Sequence, residues 1–140
     1  VLGGVTIPGE RGLRANSDGD VVLHALCNAI SQAVGGRSIG VYADPLCLEK
    51  GIKDSAEYLK VILKMMAEKG YCVNNIGIMI ECARPKIEPY AEVMKKRIAS
   101  LLGVVEEAVG ITATSGERLT SFGKGEGIQV FAVASLTGTD

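Results

Sequence analysis

A chain of 140 residues, 47% hydrophobic and 22% charged, suits one globular domain: it is too short for two cores and too apolar to stay disordered. A net charge of −1, no tryptophan and 4% aromatic residues exclude the basic, aromatic surface of a nucleic-acid binder. No apolar run approaches the roughly 20 residues of a membrane span, and Cys27, Cys47, Cys72 and Cys82 show no C-x-x-C or zinc-knuckle spacing, so reduced thiols in a cytoplasmic protein are expected.

Residues 1–8 alternate weakly and read as a short strand or hairpin arm, followed by a Gly/Arg-rich loop at 9–14. Asp18 or Asp20 is placed to cap a helix running to about Val34, where Gly35-Gly36 stops it. Leu23, Leu26, Ile30 and Val34 recur at spacings of three and four, giving that helix a buried stripe. Residues 37–53 hold Gly40, Pro45 and Gly51 without periodicity and read as a long loop. A second helix is expected over 54–69, with Leu59, Ile62, Leu63 and Met66 inward and Gly70 as its stop.

The Val/Ile-rich stretch 71–82 reads as a strand ended by Ala83-Arg84-Pro85-Lys86, since proline cannot donate to a central ladder. A third helix, 89–102, carries Met94, Ile98 and Leu101 on one stripe and closes at Gly103. Glu106-Glu107 starts a short helical turn, 109–115 is a strand, 116–127 a polar loop and 128–136 a last strand. This alternation predicts a single α/β (α+β) domain with helices packed on a sheet.

Three polar segments could carry chemistry. The first is Asn16-Ser17-Asp18-Gly19-Asp20 with His24, the only histidine, one helical turn beyond Asp20. A carboxylate beside an imidazole can fix its tautomer for a metal, although a lone histidine near a helix start is as a rule structural and catalytic zinc takes three protein ligands. The second is Arg84-Pro85-Lys86-Ile87-Glu88-Pro89, a connector whose amides and Lys86 suit a phosphate or a base edge, or equally a solvated turn. The third joins Ala113-Thr114-Ser115-Gly116-Glu117-Arg118 to Gly123-Lys124-Gly125-Glu126-Gly127. It is neither a Walker A loop nor a dinucleotide fingerprint, because no helix follows it. No G-x-S-x-G elbow is present to support a serine nucleophile.

In this order the segments resemble the 2-C-methyl-D-erythritol 2,4-cyclodiphosphate synthase family. The resemblance rests on Leu2-Gly3-Gly4-Val5-Thr6-Ile7-Pro8, Ser17-Asp18-Gly19-Asp20 with His24, Ile39-Gly40, Asp54-Ser55, Lys69-Gly70-Tyr71, Arg84-Pro85-Lys86, Ala113-Thr114, Glu117 and the glycine-alternating 123–127 tail. It runs end to end and implies a mixed sheet covered by helices on one face, in a homotrimer with active sites between subunits. The implied reaction closes the cyclic diphosphate of a 4-diphosphocytidyl-2-C-methyl-D-erythritol 2-phosphate substrate and expels CMP, a step of isoprenoid precursor synthesis. Zn2+, or another divalent transition metal, and Mg2+ or Mn2+ are the implied cofactors.

The same resemblance assigns His24 to zinc and Glu117 to the second divalent ion, with Glu117 and Lys124 as catalytic groups. It assigns substrate contacts to Asn16, Ser17, Ser38 and Gly40 on the methylerythritol side. Cys82, Pro85, Lys86, Ile87, Ala113, Thr114 and Ser115 fall on the cytidine side, with Glu117 and Lys124 at the phosphates. The family's Asp-x-His, two further zinc ligands, is expected upstream of Val1, and a plastid location would involve a transit peptide upstream as well. Asn16 stands where the family has His, Ser38 where it has Asp, Lys124 where it has Arg, and Ala43-Asp44-Pro45-Leu46-Cys47 replaces its acidic loop. These departures raise an alternative, a trimeric homologue that binds a cytidine nucleotide or an isoprenoid diphosphate without turnover.

Overall fold

The computed structural model describes residues 1–8 and 19–139. In chain order the elements are α1 (Val21–Ala33), α2 (Ile39–Asp44), a π-helical turn (Pro45–Glu49), α3 (Ser55–Glu68), β1 (Tyr71–Glu81), α4 (Glu88–Leu102), β2 (Val109–Thr114) and β3 (Gln129–Gly138). Short 3-10 turns, Glu106–Ala108 and Gly116–Arg118, flank β2.

The sheet has the order β2-β1-β3. Strand β1 pairs in parallel with β2 (Ile76 opposite Val109, Glu81 opposite Thr114) and antiparallel with β3 (Tyr71 opposite Gly138, Glu81 opposite Gln129). The parallel pair requires a crossover, which α4 supplies. Alternation along β1 sends Ile76, Ile78 and Ile80 into the core, while Gly77 and Met79 face the other way and are exposed. All the helices that touch the sheet meet the isoleucine side: α1 lies on β3, α3 on β1 and α1, and α4 on β2. A mixed sheet with one covered face is therefore what the chain forms.

Helix α1 buries Leu23, Leu26, Cys27 and Ile30 completely, and each large apolar side chain so removed from water contributes about 1.5–3 kcal/mol. Of the two candidate caps, Asp20 occupies the N-cap position, its Oδ1 accepting from Leu23 N–H at 3.0 Å. The same carboxylate accepts from Gly3 N–H (Oδ1, 2.9 Å) and Gly4 N–H (Oδ2, 2.7 Å). Residues 1–8 are thus no strand: Leu2 and Val5 exchange two backbone hydrogen bonds around a tight turn with positive φ at both Gly3 and Gly4. Glycine is the residue that enters this turn without strain, and a Cβ on Gly3 would also press into Met94 at 2.9 Å.

The expected loop at 37–53 is the main correction, since it contains α2 and the π-helical turn. Only Ile39 and Ala43 of α2 are buried, one turn apart, too few to leave a periodic signal. The helix start is held by side chains: Asn28 Oδ1 of α1 accepts from Ile39 N–H at 2.8 Å, and the hydroxyl of Tyr42, within α2, accepts from Arg37 N–H at 3.1 Å. The last strand also runs two residues further than expected, because Thr137 and Gly138 pair with Cys72 and Tyr71.

Candidate functional site

Opposite its buried stripe, α1 presents His24, Asn28 and Gln32 at intervals of one turn. This polar stripe faces Phe122 and residues 128–132 across a cleft of about 480 Å³. His24 is exposed at its rim. A smaller cavity of about 330 Å³, lined by Asn28, Gln32, Gly36, Arg37 and Ser38, continues from the same stripe. Asn28 and Gln32 border both, so the two spaces adjoin along one face of α1 as an aromatic arm and a polar arm.

Asp20 is buried, and its two oxygens accept the three backbone N–H groups described above, so it serves as helix cap and as anchor of the glycine turn. Below it, burial pushes the Cys27 thiol from 9.0 up to about 12, with the Asp20 charge adding to the effect, so Cys27 is a protonated packing group and not a thiolate ligand. Among the described residues no three His, Cys, Asp or Glu side chains converge to hold a metal ion. Catalytic zinc takes three protein ligands, so His24 alone among the described residues does not fit it.

The second region lies at the ends of β1 and β2. Cys82 N–H bonds the Thr114 carbonyl (3.1 Å), Ala83 N–H bonds the Phe122 carbonyl (3.1 Å), and the Cys82 thiol reaches the Pro85 carbonyl (3.5 Å). Segments 82–87 and 113–125 are thereby brought side by side. Cys82, Pro85 and Ile87 are buried, whereas Lys86, Ala113, Thr114, Ser115, Glu117 and Lys124 are exposed. The loop is built by its hydroxyls: Thr114 Oγ1 accepts from Gly116 N–H and Thr120 Oγ1 from Gly123 N–H, both at 3.0 Å. Thr120 also donates to Glu81 Oε1 at 3.4 Å. A Cβ on Gly123 would collide with the Ser115 carbonyl oxygen, so glycine is the only residue this turn admits. Glu117 and Arg118 sit at φ 52° and 61°, a left-handed conformation that costs a non-glycine residue roughly 1 kcal/mol or more and projects both side chains from the loop.

The two regions meet at Phe122, whose carbonyl holds Ala83 and whose side chain lines the groove. Ser38 lies in the polar arm and Gly40 two residues beyond in α2, partly buried, whereas Glu117 and Lys124 do not line the groove. Asn16 and Ser17 lie outside the described residues. Sequence reasoning passed over Asn28, Gln32 and Arg37, although the four-residue spacing from His24 to Asn28 to Gln32 was there to be read as a polar helix face. Among the described residues no helix is long and apolar enough to cross a membrane.

Fold and groove together define an α+β domain with a polar cleft large enough for a small molecule. Its sequence matches the YgbB family over residues 1–137. It is 44% identical over 136 residues to the 2-C-methyl-D-erythritol 2,4-cyclodiphosphate synthase of Chlamydia muridarum, covering 97% of this chain and 76% of that protein. The bifunctional IspDF of Campylobacter jejuni superposes with a TM-score of 0.92 at 33% identity, over 100% of this chain and 38% of that longer one. IspF of Plasmodium falciparum, in a CDP complex, superposes at 0.87 and 27% identity, over 99% of this chain and 83% of that one. The chain belongs to the YgbB family, the family of the 2-C-methyl-D-erythritol 2,4-cyclodiphosphate synthases.

Proposed function

We propose that the chain is a cyclodiphosphate synthase acting on 4-diphosphocytidyl-2-C-methyl-D-erythritol 2-phosphate, as a homotrimer whose sites lie between adjacent subunits. The observation that carries this reading is the family match along residues 1–137. The CDP complex of the Plasmodium relative supports a cytidine ligand. An oxygen of the 2-phosphate attacks the β-phosphorus of the same molecule, the bond to the α-phosphate oxygen breaks, and CMP leaves. Such a reaction needs no protein nucleophile; it needs two phosphoryl groups held in line and their charge neutralised.

Pro85, Lys86, Ile87, Ala113, Thr114 and Ser115, with Cys82 behind them, hold the cytidine and its phosphates. Lys124 supplies positive charge at the leaving phosphate. Asn16, Ser17, Ser38 and Gly40 hold the methylerythritol end. His24 would contribute one ligand to a zinc ion only together with donors outside the described residues, and Glu117 one to Mg2+ or Mn2+; ions so held would polarise phosphoryl oxygens. The separation of the His24 groove from Glu117 and Lys124 within one chain is what a site shared between subunits accounts for. The uncovered sheet face supports the trimer, since Met79, Phe131 and Val133 stand 38%, 55% and 73% exposed there.

The test is CMP release from the cytidyl substrate with Zn2+ and Mg2+ present. Release dependent on metal is expected. No CMP above background overturns the activity, and CMP binding that persists without release selects the non-catalytic nucleotide-binding homologue.

A further inference from the structure

The polar arm of the groove is built around Arg37. Both backbone polar groups of this residue are held by side chains: Ser31 Oγ donates to its carbonyl at 2.6 Å, and its N–H donates to the Tyr42 hydroxyl at 3.1 Å. Ser31 is fully buried, so this anchor is set in the core. Two residues on, Asn28 Oδ1 holds Ile39 N–H at 2.8 Å. Three side chains from two helices thus clamp the backbone of 37–39, a connection that flanking Gly35 and Gly36 would otherwise leave loose. The arginine side chain stands at the lining of a 330 Å³ cavity whose other walls are Asn28, Gln32, Gly36 and Ser38. No ion pair among the described residues occupies its guanidinium. A fixed backbone presenting a free guanidinium beside amides and a hydroxyl is a receptor for a small, oxygen-rich anion.

We infer that Arg37 is a specificity-determining residue: its guanidinium engages the phosphate monoester of the substrate in the polar arm, while Ser38 and Asn28 face the polyol hydroxyls. The inference rests on the proposed reaction for the identity of the ligand, and on the clamp and cavity for the site. Fixing the attacking phosphate in the polar arm orients its oxygen toward the diphosphate held by the second region, which is the positioning an intramolecular transfer requires.

The experiment uses two analogues with a methylene bridge between the α- and β-phosphorus, which cannot lose CMP, one with the 2-phosphate and one without. Their affinities for the full chain and for Arg37→Ala and Arg37→Lys are measured by calorimetry, with CMP release from the natural substrate followed in parallel. Arg37→Ala should weaken the phosphorylated analogue roughly 10- to 100-fold and leave the other within about twofold, and Arg37→Lys should fall between. Equal losses on both analogues, or no loss on the phosphorylated one, overturn the inference. A wild-type chain that shows this discrimination but releases no CMP overturns the proposed activity alone, and one that binds neither analogue overturns both.

Discussion

The carboxylate of Asp20 accepts backbone N–H groups from two parts of the chain, Gly3 and Gly4 on one side and Leu23 on the other. Asp20→Ala removes the helix cap and strands the N–H groups of the glycine turn. It should lower unfolding stability by about 3 kcal/mol, read from denaturant midpoints. Asp20→Asn, which retains one acceptor, should lose less. Two turns beyond Asp20, the Cys27 thiol makes a prediction about pH. Its value in the folded chain lies near 12, against 9.0 when free, because it is buried and faces the Asp20 charge. Above pH 9 the unfolded chain gives up this proton and the folded chain keeps it. Its contribution is therefore whole below about pH 9 and is lost as the pH rises toward 12, up to roughly 4 kcal/mol. Comparing the stability–pH slope of Cys27→Ala with that of the parent between pH 8.5 and 11 measures this; identical slopes would refute it. At pH 8 native Cys27 should resist alkylation while exposed Cys72 reacts.

Among the elements, the loop from β2 to β3 is the one whose geometry a single methyl group can break. Gly123→Ala would drive a Cβ into the Ser115 carbonyl, displacing the turn that carries Glu117 and Lys124. Turnover should fall by about two orders of magnitude or more, with circular dichroism close to wild type, because a displacement of about 1 Å at a reacting centre costs on this scale. Full activity in this variant would show that the loop is not part of the site. This loop also marks the limit of what could be read from the chain alone. The helices carrying Leu23, Leu26 and Ile30, or Met94 and Ile98, announced themselves because a core contact recurs every turn. Helix α2 did not, since what stabilises it is Asn28 reaching across from α1 and its own Tyr42 holding the backbone of Arg37, and such contacts leave no period. The site divides in the same way. His24, Ser38, Lys86 and Glu117 could be named from motif text, but their partition into a groove and a loop region depended on which strand ends meet.

At the scale of the whole molecule, the sheet has one face sealed by helices and one that the described residues leave bare. Met79, Phe131 and Val133 form an apolar row there, placed side by side by the pairing of Met79 with Phe131 and of Gly77 with Val133. A row of this kind suits burial against copies of itself. Phe131→Glu combined with Val133→Glu should convert the proposed trimer to monomer in sedimentation experiments and abolish turnover, while the monomer keeps its secondary structure. A double variant that still sediments as a trimer would remove this face from the interface.

The pairing of β1 with both its neighbours carries a consequence for how the chain is made. Strand β1 is central, yet its partner over the full length from Tyr71 to Glu81 is the last element of the sequence. A ribosome releasing the chain from its N-terminal end delivers the helices and β1 well before residues 129–138 emerge. During that interval the isoleucine-bearing strand keeps one row of backbone groups unpaired, open to the matching strand of another nascent chain. Both edges of β1 are filled only once residues 129–138 have emerged, so until then the partly made chain carries an open ladder along its central strand.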